Sequence, residues 1–313
     1  MTLKNVLLCL FALASSLVAA AEPLKELNIS YSKPAFVLQL LVMRDHRLLE
    51  KEFDKDGIKI NWHTFNSSPK AARAMGSGNL EIAGNMNTAS VLMLNSEGLP
   101  VRIITGTARP ASNFGIVAKS GTPLSIKDLK GRKIVGPKGT FLHQLLVAAL
   151  EKEGMDESQV QFINMSISRA LSTILSGNAD AAMLAGSALL KANKSGAETI
   201  VSAEGFVEPT LVMTTTQEFA DEYPEIIRRV DKVYLQALEW MKNNLDALAA
   251  MGAKEHGISI EETKTLITRS HYFEKMNFKD IEGIKENQKF LRANGMMRNE
   301  VPVETLILPI AFE

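Results

Sequence analysis

The sequence predicts an α/β protein of two lobes, each built on a mixed, mainly parallel sheet, with a cleft between the lobes. Strand-like and helix-like runs alternate along much of the chain, a pattern typical of parallel sheets covered by helices. Two signals also recur in the same order roughly 100 residues apart. "LQLLVMRDHRLLEKEF" near Leu38 matches "LHQLLVAALEKEG" near Leu142, and "SGNLEIAG" at Ser77 matches "SGNADAAML" at Ser176. The pattern therefore indicates two similar halves.

The first half contains predicted strands and helices in alternation. A β-prone run at 27–31 leads to Pro34, which begins a helix with apolar residues at helical spacing. Ser68 and Pro69 suit the N-cap and first turn of a second helix, which ends at Gly76. The other two predicted strands are 58–62 and 80–83.

The second half repeats this order. A strand at 133–135 precedes an amphipathic helix that begins near Leu142 and stops at Gly154. A second helix is predicted to be capped by Ser168 and to end near Gly177. The remaining predicted strands are 160–163 and 181–184.

The end of the chain is mostly helical and is predicted to pack on the first half. Pro224 begins a long helix, Ser259 with Glu262 forms a capping box for another, and Asp280 is a candidate cap for a third. The chain is expected to cross between halves near 105–113 and 201–210. The predicted organisation is therefore one lobe at 22–106 with 210–313, and a second lobe at 107–209.

The first residues have the composition of a secretory signal peptide. Lys4 supplies the positive charge, an apolar run covers 6–20, and small residues precede Glu22. The run is shorter than the ~20 residues that a membrane span needs. We therefore predict cleavage after Ala21 and an exported protein. Cys9 lies in this segment, so the mature chain has no cysteine for disulfides, thiolate metal sites or nucleophilic catalysis.

Charge and motif content exclude several classes of function. The chain has 35 basic and 35 acidic side chains, so no nucleic-acid or acidic-membrane partner is indicated. The histidines show no paired metal-ligand spacing, and no G-x-S-x-G nucleophile motif occurs. We predict no metal and no cofactor.

Ligands of open α/β sheets bind beyond the carboxyl ends of the strands, where loops lead into helix N-termini. In this sequence those loops are 31–34, 84–88, 136–141 and 185–187. The predicted ligand-binding residues are Tyr31, Ser32, Lys33, Gly84, Asn85, Asn87, Thr107, Arg109, Thr140, Phe141, Ala185, Gly186 and Ser187.

The glycine-rich stretch "KIVGPKGTFLHQLL" is not a nucleotide-binding loop. That motif needs G-x-x-x-x-G-K-[ST], whereas here Pro137 interrupts the loop and Lys138 precedes Gly139. Proline also removes a backbone N–H that a phosphate cradle requires. The stretch is either a helix N-terminus that binds an anion or polar ligand near Thr140, or a plain strand-to-helix turn.

Other candidate residues also allow two interpretations. The stretch Tyr31-Ser32-Lys33 either offers a hydroxyl and N–H groups to the cleft or is a helix start with a capping serine and a solvated lysine. Asn85 and Asn87 are ligand-binding amides or turn formers. Arg109 either pairs bidentately with an anionic ligand or lies on the surface.

Several segments together resemble a known family. In order, "ISYSKPAF", "SPKAARAMGSGNLEIAG", "IKDLKGRKIVGPKGTFLHQLLVAALEKEGM" and "SGNADAAML" resemble the periplasmic substrate-binding proteins of ABC importers for sulfonates, taurine and nitrate. The resemblance covers most of the mature chain and implies the type II periplasmic-binding-protein fold. Ala185, Gly186 and Ser187 depart from the pattern, and so do Phe141 and Leu142, which suggests a roomier and more apolar cleft.

The resemblance implies a non-catalytic capture protein. We expect a monomer whose lobes close on a small organic anion and which then delivers the anion to a membrane permease. Its expected partners are that ABC permease and, through it, an ATPase. Two alternatives remain open at this point. One is an enzyme of the same fold family, of the pyrimidine-precursor or menaquinone-pathway type, and the other is a ligand-sensing subunit of a signalling receptor.

Overall fold

The structure is a computed structural model that describes residues 23–31, 36–65, 68–119, 121 and 125–313. For Ser68 and Pro69 only the backbone is described. The predicted signal peptide at 1–21 and the predicted ligand-binding residues Ser32 and Lys33 lie outside the described residues.

The described residues form two five-stranded sheets. The strands are β1 (Glu26–Tyr31), β2 (Lys59–Thr64), β3 (Ile82–Asn87), β4 (Val101–Ala108), β5 (Phe114–Ala118), β6 (Lys133–Gly136), β7 (Gln161–Asn164), β8 (Ala181–Ala185), β9 (Glu198–Ser202) and β10 (Leu211–Thr216). The strand order is β2-β1-β3-β10-β4 in the first sheet and β7-β6-β8-β5-β9 in the second.

The two sheets have the same topology. In the first, β1 pairs in parallel with β2 and β3, and β10 runs antiparallel between β3 and β4. In the second, β6 pairs in parallel with β7 and β8, and β5 runs antiparallel between β8 and β9. Only one strand of each sheet is thus reversed. The predicted two-lobed α/β fold with mixed, mainly parallel sheets is confirmed.

Helices cover both sheets. They are α1 (Leu38–Asp45), α2 (Leu48–Phe53), α3 (Ser68–Gly76), α4 (Thr88–Ser96), α5 (Phe141–Lys152), α6 (Ile167–Leu175), α7 (Gly186–Lys194), α8 (Gln217–Glu222), α9 (Pro224–Asn243), α10 (Leu245–His256), α11 (Ile260–Ser270) and α12 (Phe278–Ala293). None of the helices in the described ranges is both long enough and apolar enough to span a membrane. We call the first sheet with its helices the first lobe, and the second sheet with α5, α6 and α7 the second lobe.

The C-terminal helices pack on the first lobe. Arg229 of α9 donates to Glu52 of α2 at 2.9 Å, and Arg44 of α1 donates to Glu255 of α10 at 3.0 Å. The hydroxyl of Tyr234 on α9 is fully buried and lies 3.0 Å from the carbonyl oxygen of Gly106 in β4. These bonds join segments more than a hundred residues apart in the sequence.

Several local predictions need correction. The helix expected from Pro34 through Leu48 is two helices, because Arg47 has a left-handed backbone (φ 54°) that ends the right-handed spiral. The cap of α6 is Ser166, whose hydroxyl accepts from the N–H of Arg169, and Ser168 lies inside the helix. The capping box of Ser259 and Glu262 is confirmed.

The cap of α12 also differs from the prediction. Asn277 is the N-cap, and Asp280 is the third helical residue of a capping box, accepting from the backbone N–H of Asn277 at 2.8 Å. Asp280 therefore contributes to the start of the helix from inside it, because its carboxylate reaches back to the exposed N–H groups of the first turn.

Candidate functional site

Among the described residues, three strand-to-helix junctions at the carboxyl ends of parallel strands carry predicted ligand-binding residues. β3 runs into α4, β6 leads through a short loop into α5, and β8 runs into α7. The first-turn N–H groups of a helix have no acceptor within the helix and carry a partial positive charge. These junctions lie in both lobes, so they form the walls of the candidate site.

The three predicted ligand-binding residues at the junction between β3 and α4 have three different structural environments. Gly84 lies inside β3 and not in a loop. An added Cβ at this position would sit 2.3 Å from the carbonyl oxygen of Ser30. Asn87 is the N-cap of α4 and accepts from the N–H of Ser90 at 2.8 Å. Asn85 is 7% exposed, and its side-chain oxygen has no hydrogen-bond partner among the described residues.

The loop between β6 and α5 is held by side chains around it. The N–H of Lys138 donates to Asn164 at 2.9 Å, and the hydroxyl of Thr140 donates to the carbonyl oxygen of Pro137 at 3.1 Å. Gly139 has φ +67°, a conformation that favours glycine. Thr140 takes the N-cap position of α5 without a side-chain cap bond, so the first-turn N–H groups that follow it are not capped by its hydroxyl.

The side chain of His143 stabilises this loop by a hydrogen bond to its backbone. Its Nδ1 accepts from the N–H of Gly139 at 3.3 Å, and its Nε2 lies 2.6 Å from a carboxylate oxygen of Glu157. Burial lowers the pKa of His143, with Glu157 opposing that shift, so burial favours the neutral ring. A neutral ring with its proton on Nε2 satisfies both bonds, and His143 therefore has a structural role in the loop.

Gln144 is a residue of this junction that the sequence-based analysis missed. It is 1% exposed, and neither its side-chain oxygen nor its side-chain nitrogen has a partner within the described part of the chain. Further along the same face of α5, Ala148 is half-buried and Glu151 is exposed. This face of the helix is therefore fully buried only near its N-terminal end, where Gln144 lies. A buried amide without partners is costly unless a ligand satisfies it. In the sequence, the only indication of this contact is an amide side chain one helical turn after the loop.

Phe141 and the α7 junction complete the wall of the second lobe. Phe141 begins α5 and is 1% exposed. Ala185 ends β8 in an extended conformation, and Gly186 begins α7 with φ +54°. Ser187 follows in the first turn of α7 and is half-buried. The strand-to-helix junction predicted at 185–187 therefore lies where β8 ends and α7 begins.

Tyr31 and Thr107 are interior residues of the first lobe. Tyr31 is 1% exposed with the guanidinium of Arg44 over its ring at 5.0 Å, and burial raises the pKa of its hydroxyl. Thr107 is fully buried in β4, and its carbonyl oxygen accepts from Gln39 at 2.8 Å. Neither hydroxyl has a partner among the described residues.

Arg109 does not have the free side chain that a ligand anion would need. Its Nε and Nη2 donate to the two carboxylate oxygens of Asp280 at 2.8 and 2.7 Å. The guanidinium also lies 3.5 Å from the centroid of the Phe273 ring. The predicted bidentate pair exists, but its carboxylate belongs to the protein, because α12 brings Asp280 to the first crossing.

Residues of the two lobes approach each other near the loop before α5 and at the last turn of α7. Cε of Met93 in α4 lies 3.7 Å from the position that a Cβ would take at Gly139, in the loop of the other lobe. Lys191 of α7 donates to the carbonyl oxygen of His256 at 3.1 Å. No cluster of three metal-ligating side chains occurs in the described ranges. The arrangement is suited to enclosing a small polar or anionic molecule between helix N-termini and side-chain amides.

Comparisons with known proteins identify related chains. The profile of the family described as NMT1/THI5 like matches residues 53–247. The taurine-binding periplasmic protein of Escherichia coli K12 is 24% identical over 217 residues, which cover 65% of this chain and 67% of that protein.

Solved structures share the fold. The alkanesulfonate-binding protein SsuA from Xanthomonas axonopodis pv. citri, bound to MOPS, has a TM-score of 0.81 at 20% identity, covering 91% of this chain and 98% of that one. The periplasmic aliphatic sulphonate binding protein SsuA from Escherichia coli has a TM-score of 0.77 at 19% identity, covering 90% of this chain and 97% of that one. At these identities the likeness shows a common periplasmic-binding-protein fold.

Proposed function

Because the chain belongs to the NMT1/THI5-like family, we propose that it is the periplasmic solute-binding component of an ABC-type importer. Its ligand is a small organic anion of the sulfonate class, captured by closure of the two lobes. The taurine-binding relative and the two SsuA structures, which are sulfonate-binding proteins, support this ligand class. The proposed role is non-catalytic, the protein acts as a monomer, and its partners are a membrane permease and an ATPase.

One observation carries the proposal. The N-termini of α4 and α5 lie at the carboxyl ends of strands in different lobes, and a Cβ added at Gly139, in the loop that precedes α5, would lie 3.7 Å from Cε of Met93 in α4. A ligand between them meets uncapped N–H groups of α5, whose partial positive charge favours an anion. The unused side-chain groups of Asn85 and Gln144 supply further hydrogen bonds.

The site residues of the proposal follow from this geometry. We propose that Asn85, Gln144, Ser187 and the backbone around Thr140–Leu142 and Gly186 contact the ligand, with Phe141 behind its apolar portion. The predicted roles of Tyr31, Thr107 and Ala185 as ligand contacts stay predictions, and for Arg109 we propose a structural role as the partner of Asp280. We propose lobe limits of 22–106 with 210–313, and 107–209.

Thermal unfolding with a ligand panel tests the proposal. The panel contains taurine, methanesulfonate and MOPS, with nitrate, acetate and a neutral pyrimidine as comparisons. A ligand present at 100 times its Kd adds about 2.7 kcal/mol to the free energy of unfolding, so a true sulfonate ligand raises Tm measurably. Isothermal titration then gives Kd and the stoichiometry, expected to be one ligand per chain.

Two results would contradict the proposal. If no sulfonate raised Tm while a pyrimidine did, the ligand class would be wrong. If a bound probe were converted to a product detectable by mass spectrometry, the protein would be an enzyme and the non-catalytic role would be wrong. Measuring uptake of the bound probe by cells with and without this protein separates transport from a signalling role.

A further inference from the structure

Helix α7 connects the candidate site to the opposite lobe. It begins at Gly186 in the wall of the second lobe, and its last turn carries Lys191 and Lys194. Both lysines reach residues of the first lobe. Lys191 donates to the carbonyl oxygen of His256 at 3.1 Å, and Lys194 lies 3.5 Å from a carboxylate oxygen of Glu262.

The acceptor of Lys191 is the carboxyl end of α10. His256 is the last residue of that helix, and Gly257 ends it with φ +61°. The final carbonyl groups of a helix have no N–H partner within it and carry a partial negative charge, so a lysine ammonium is a favourable partner. The bond is partly buried, which reduces its screening by water.

Helix α10 is fixed to the first lobe. Glu255 accepts from Arg44 of α1 at 3.0 Å, and a Cβ added at Gly252 would lie 3.3 Å from a methyl group of Leu38. The ring of His256 also packs against Phe36, with 4.6 Å between centroids. Phe36 lies directly before α1, at the end of the β1–α1 connection where ligand residues are predicted. The helix end that receives Lys191 therefore also contacts this ligand-side segment.

The position of this contact makes it sensitive to the angle between the lobes. Asn113, in the first crossing, donates to Ser270 at the carboxyl end of α11 at 3.2 Å. Glu262, the partner of Lys194, precedes Ser270 by eight residues, so that contact lies about 12 Å along α11 from the crossing, and His256, the partner of Lys191, lies before the start of the same helix. At that distance, each rotation of about 10° displaces the contact by about 2 Å, which is enough to break a hydrogen bond.

We propose that Lys191 is a positioning residue that stabilises the closed arrangement of the lobes around the ligand by binding the carboxyl end of α10. The proposal rests on the proposed function, because closure matters for a protein that captures a ligand. Helix α7 is then held against the first lobe at both of its ends. The ligand connects its N-terminus to that lobe, and Lys191 connects its last turn. Loss of the lysine bond therefore speeds opening and ligand release.

Lys194 provides a matched control. It lies on the same helix and also faces the first lobe, but its side chain is 73% exposed and its distance to Glu262 is longer, at 3.5 Å. An exposed ion pair contributes little. Lys194→Met removes the same charge as Lys191→Met, so a difference between the two variants reports the hydrogen bond and not net charge.

The experiment measures binding kinetics and lobe separation in the same variants. Taurine and MOPS are the probes, and stopped-flow fluorescence gives the association and dissociation rates. Because the mature chain has no cysteine of its own, Glu151→Cys on α5 and Glu225→Cys on α9 accept spin labels selectively. Pulsed electron resonance then measures the distance between lobes with and without probe.

We expect Lys191→Met to weaken probe binding about tenfold, mostly through faster dissociation, and to lengthen the interlobe distance without probe. Lys194→Met behaves as the unaltered protein, and Lys191→Arg restores most of the affinity. Unchanged dissociation and distance in Lys191→Met overturn the inference, and so does an affinity loss confined to the association rate. If the unaltered protein binds neither probe, the proposed function fails, while the distances without probe still decide the role of Lys191.

Discussion

Arg109 and Asp280 form a bidentate ion pair across 171 residues of sequence, with N–O distances of 2.8 and 2.7 Å. The Asp280 side chain is only 4% exposed, and it also accepts from the N–H of Asn277 at the start of α12. Phe273 lies beneath the guanidinium. The first crossing between the lobes is therefore anchored to the C-terminal helices through Arg109.

Removing the guanidinium should destabilise the fold and leave ligand binding almost unchanged. Arg109→Ala leaves the buried carboxylate of Asp280 without its partner, at an expected loss of about 2 kcal/mol, reduced from a fully buried pair because Arg109 is partly exposed. Urea unfolding measures the loss. The double variant Arg109→Ala/Asp280→Ala should recover part of it. A tenfold weaker Kd for the sulfonate probe with normal stability would instead return Arg109 to the ligand site.

Gly106 is required because Phe273 occupies the space beside it. An added Cβ would sit 1.9 and 2.0 Å from two ring carbons of Phe273, so the ring must leave its place under Arg109. We expect Gly106→Ala to lower the free energy of unfolding by about 1–3 kcal/mol.

Gly283 is the matched control for Gly106. It lies within α12, and nothing lies within 4 Å of an added Cβ. Gly283→Ala should therefore raise the free energy of unfolding by up to about 1 kcal/mol, because alanine favours the helix. Equal effects of the two substitutions on the urea midpoint would contradict the packing account of Gly106.

Gln144→Leu should change stability and binding in opposite directions. The substitution removes a buried amide that has no partner among the described residues, so the ligand-free protein should gain about 1 kcal/mol. Affinity for the sulfonate probe should fall about tenfold, because the ligand loses its hydrogen bonds to the amide. Urea unfolding and isothermal titration measure the two effects.

Gln39 is the matched control for Gln144. It is fully buried, but its Nε2 donates to Thr107 at 2.8 Å and to Tyr234 at 3.0 Å. Gln39→Leu should therefore destabilise the protein. If Gln144→Leu were also destabilising without loss of affinity, Gln144 would be a structural residue and the proposed contact would be wrong.

Asp231 should make stability depend on pH. It is 8% exposed on α9, and burial raises its pKa to about 6, with Thr105 and Lys275 partly opposing the shift. A raised pKa means that the folded state holds the proton more tightly than the unfolded state. The resulting stability is present below the unfolded pKa of 3.8 and is lost as pH rises through about 6.

Asp231→Asn removes this dependence. The variant should exceed the unaltered protein at about pH 8 by up to about 3 kcal/mol and match it near pH 4. Urea unfolding at both pH values measures the difference. Asp246→Asn, at a side chain that is 93% exposed, controls for the loss of one negative charge. A gain of the same size at both pH values would show that Asp231 does not titrate as described.

Much of the fold was predictable because its signals are local. Alternating strand and helix patterns located β1, β6 and α9, and the Ser259–Glu262 capping box marked the start of α11. The repeated order of motifs indicated two similar sheets, since a duplicated pattern of elements favours a duplicated topology. The strand-to-helix junctions at Thr140 and Gly186 were predicted by the same reasoning.

The sequence by itself determined the two α/β lobes and the helix entrances between them, because helical and strand periods and caps involve residues close together in the chain. Only the tertiary structure decided which polar side chains are satisfied there. Arg109 takes its partner from α12, and the side-chain amide of Gln144 is buried without a hydrogen-bond partner among the described residues. Those outcomes depend on which distant segments meet when the sheets close, and pairing between distant segments leaves no periodic signal in the sequence.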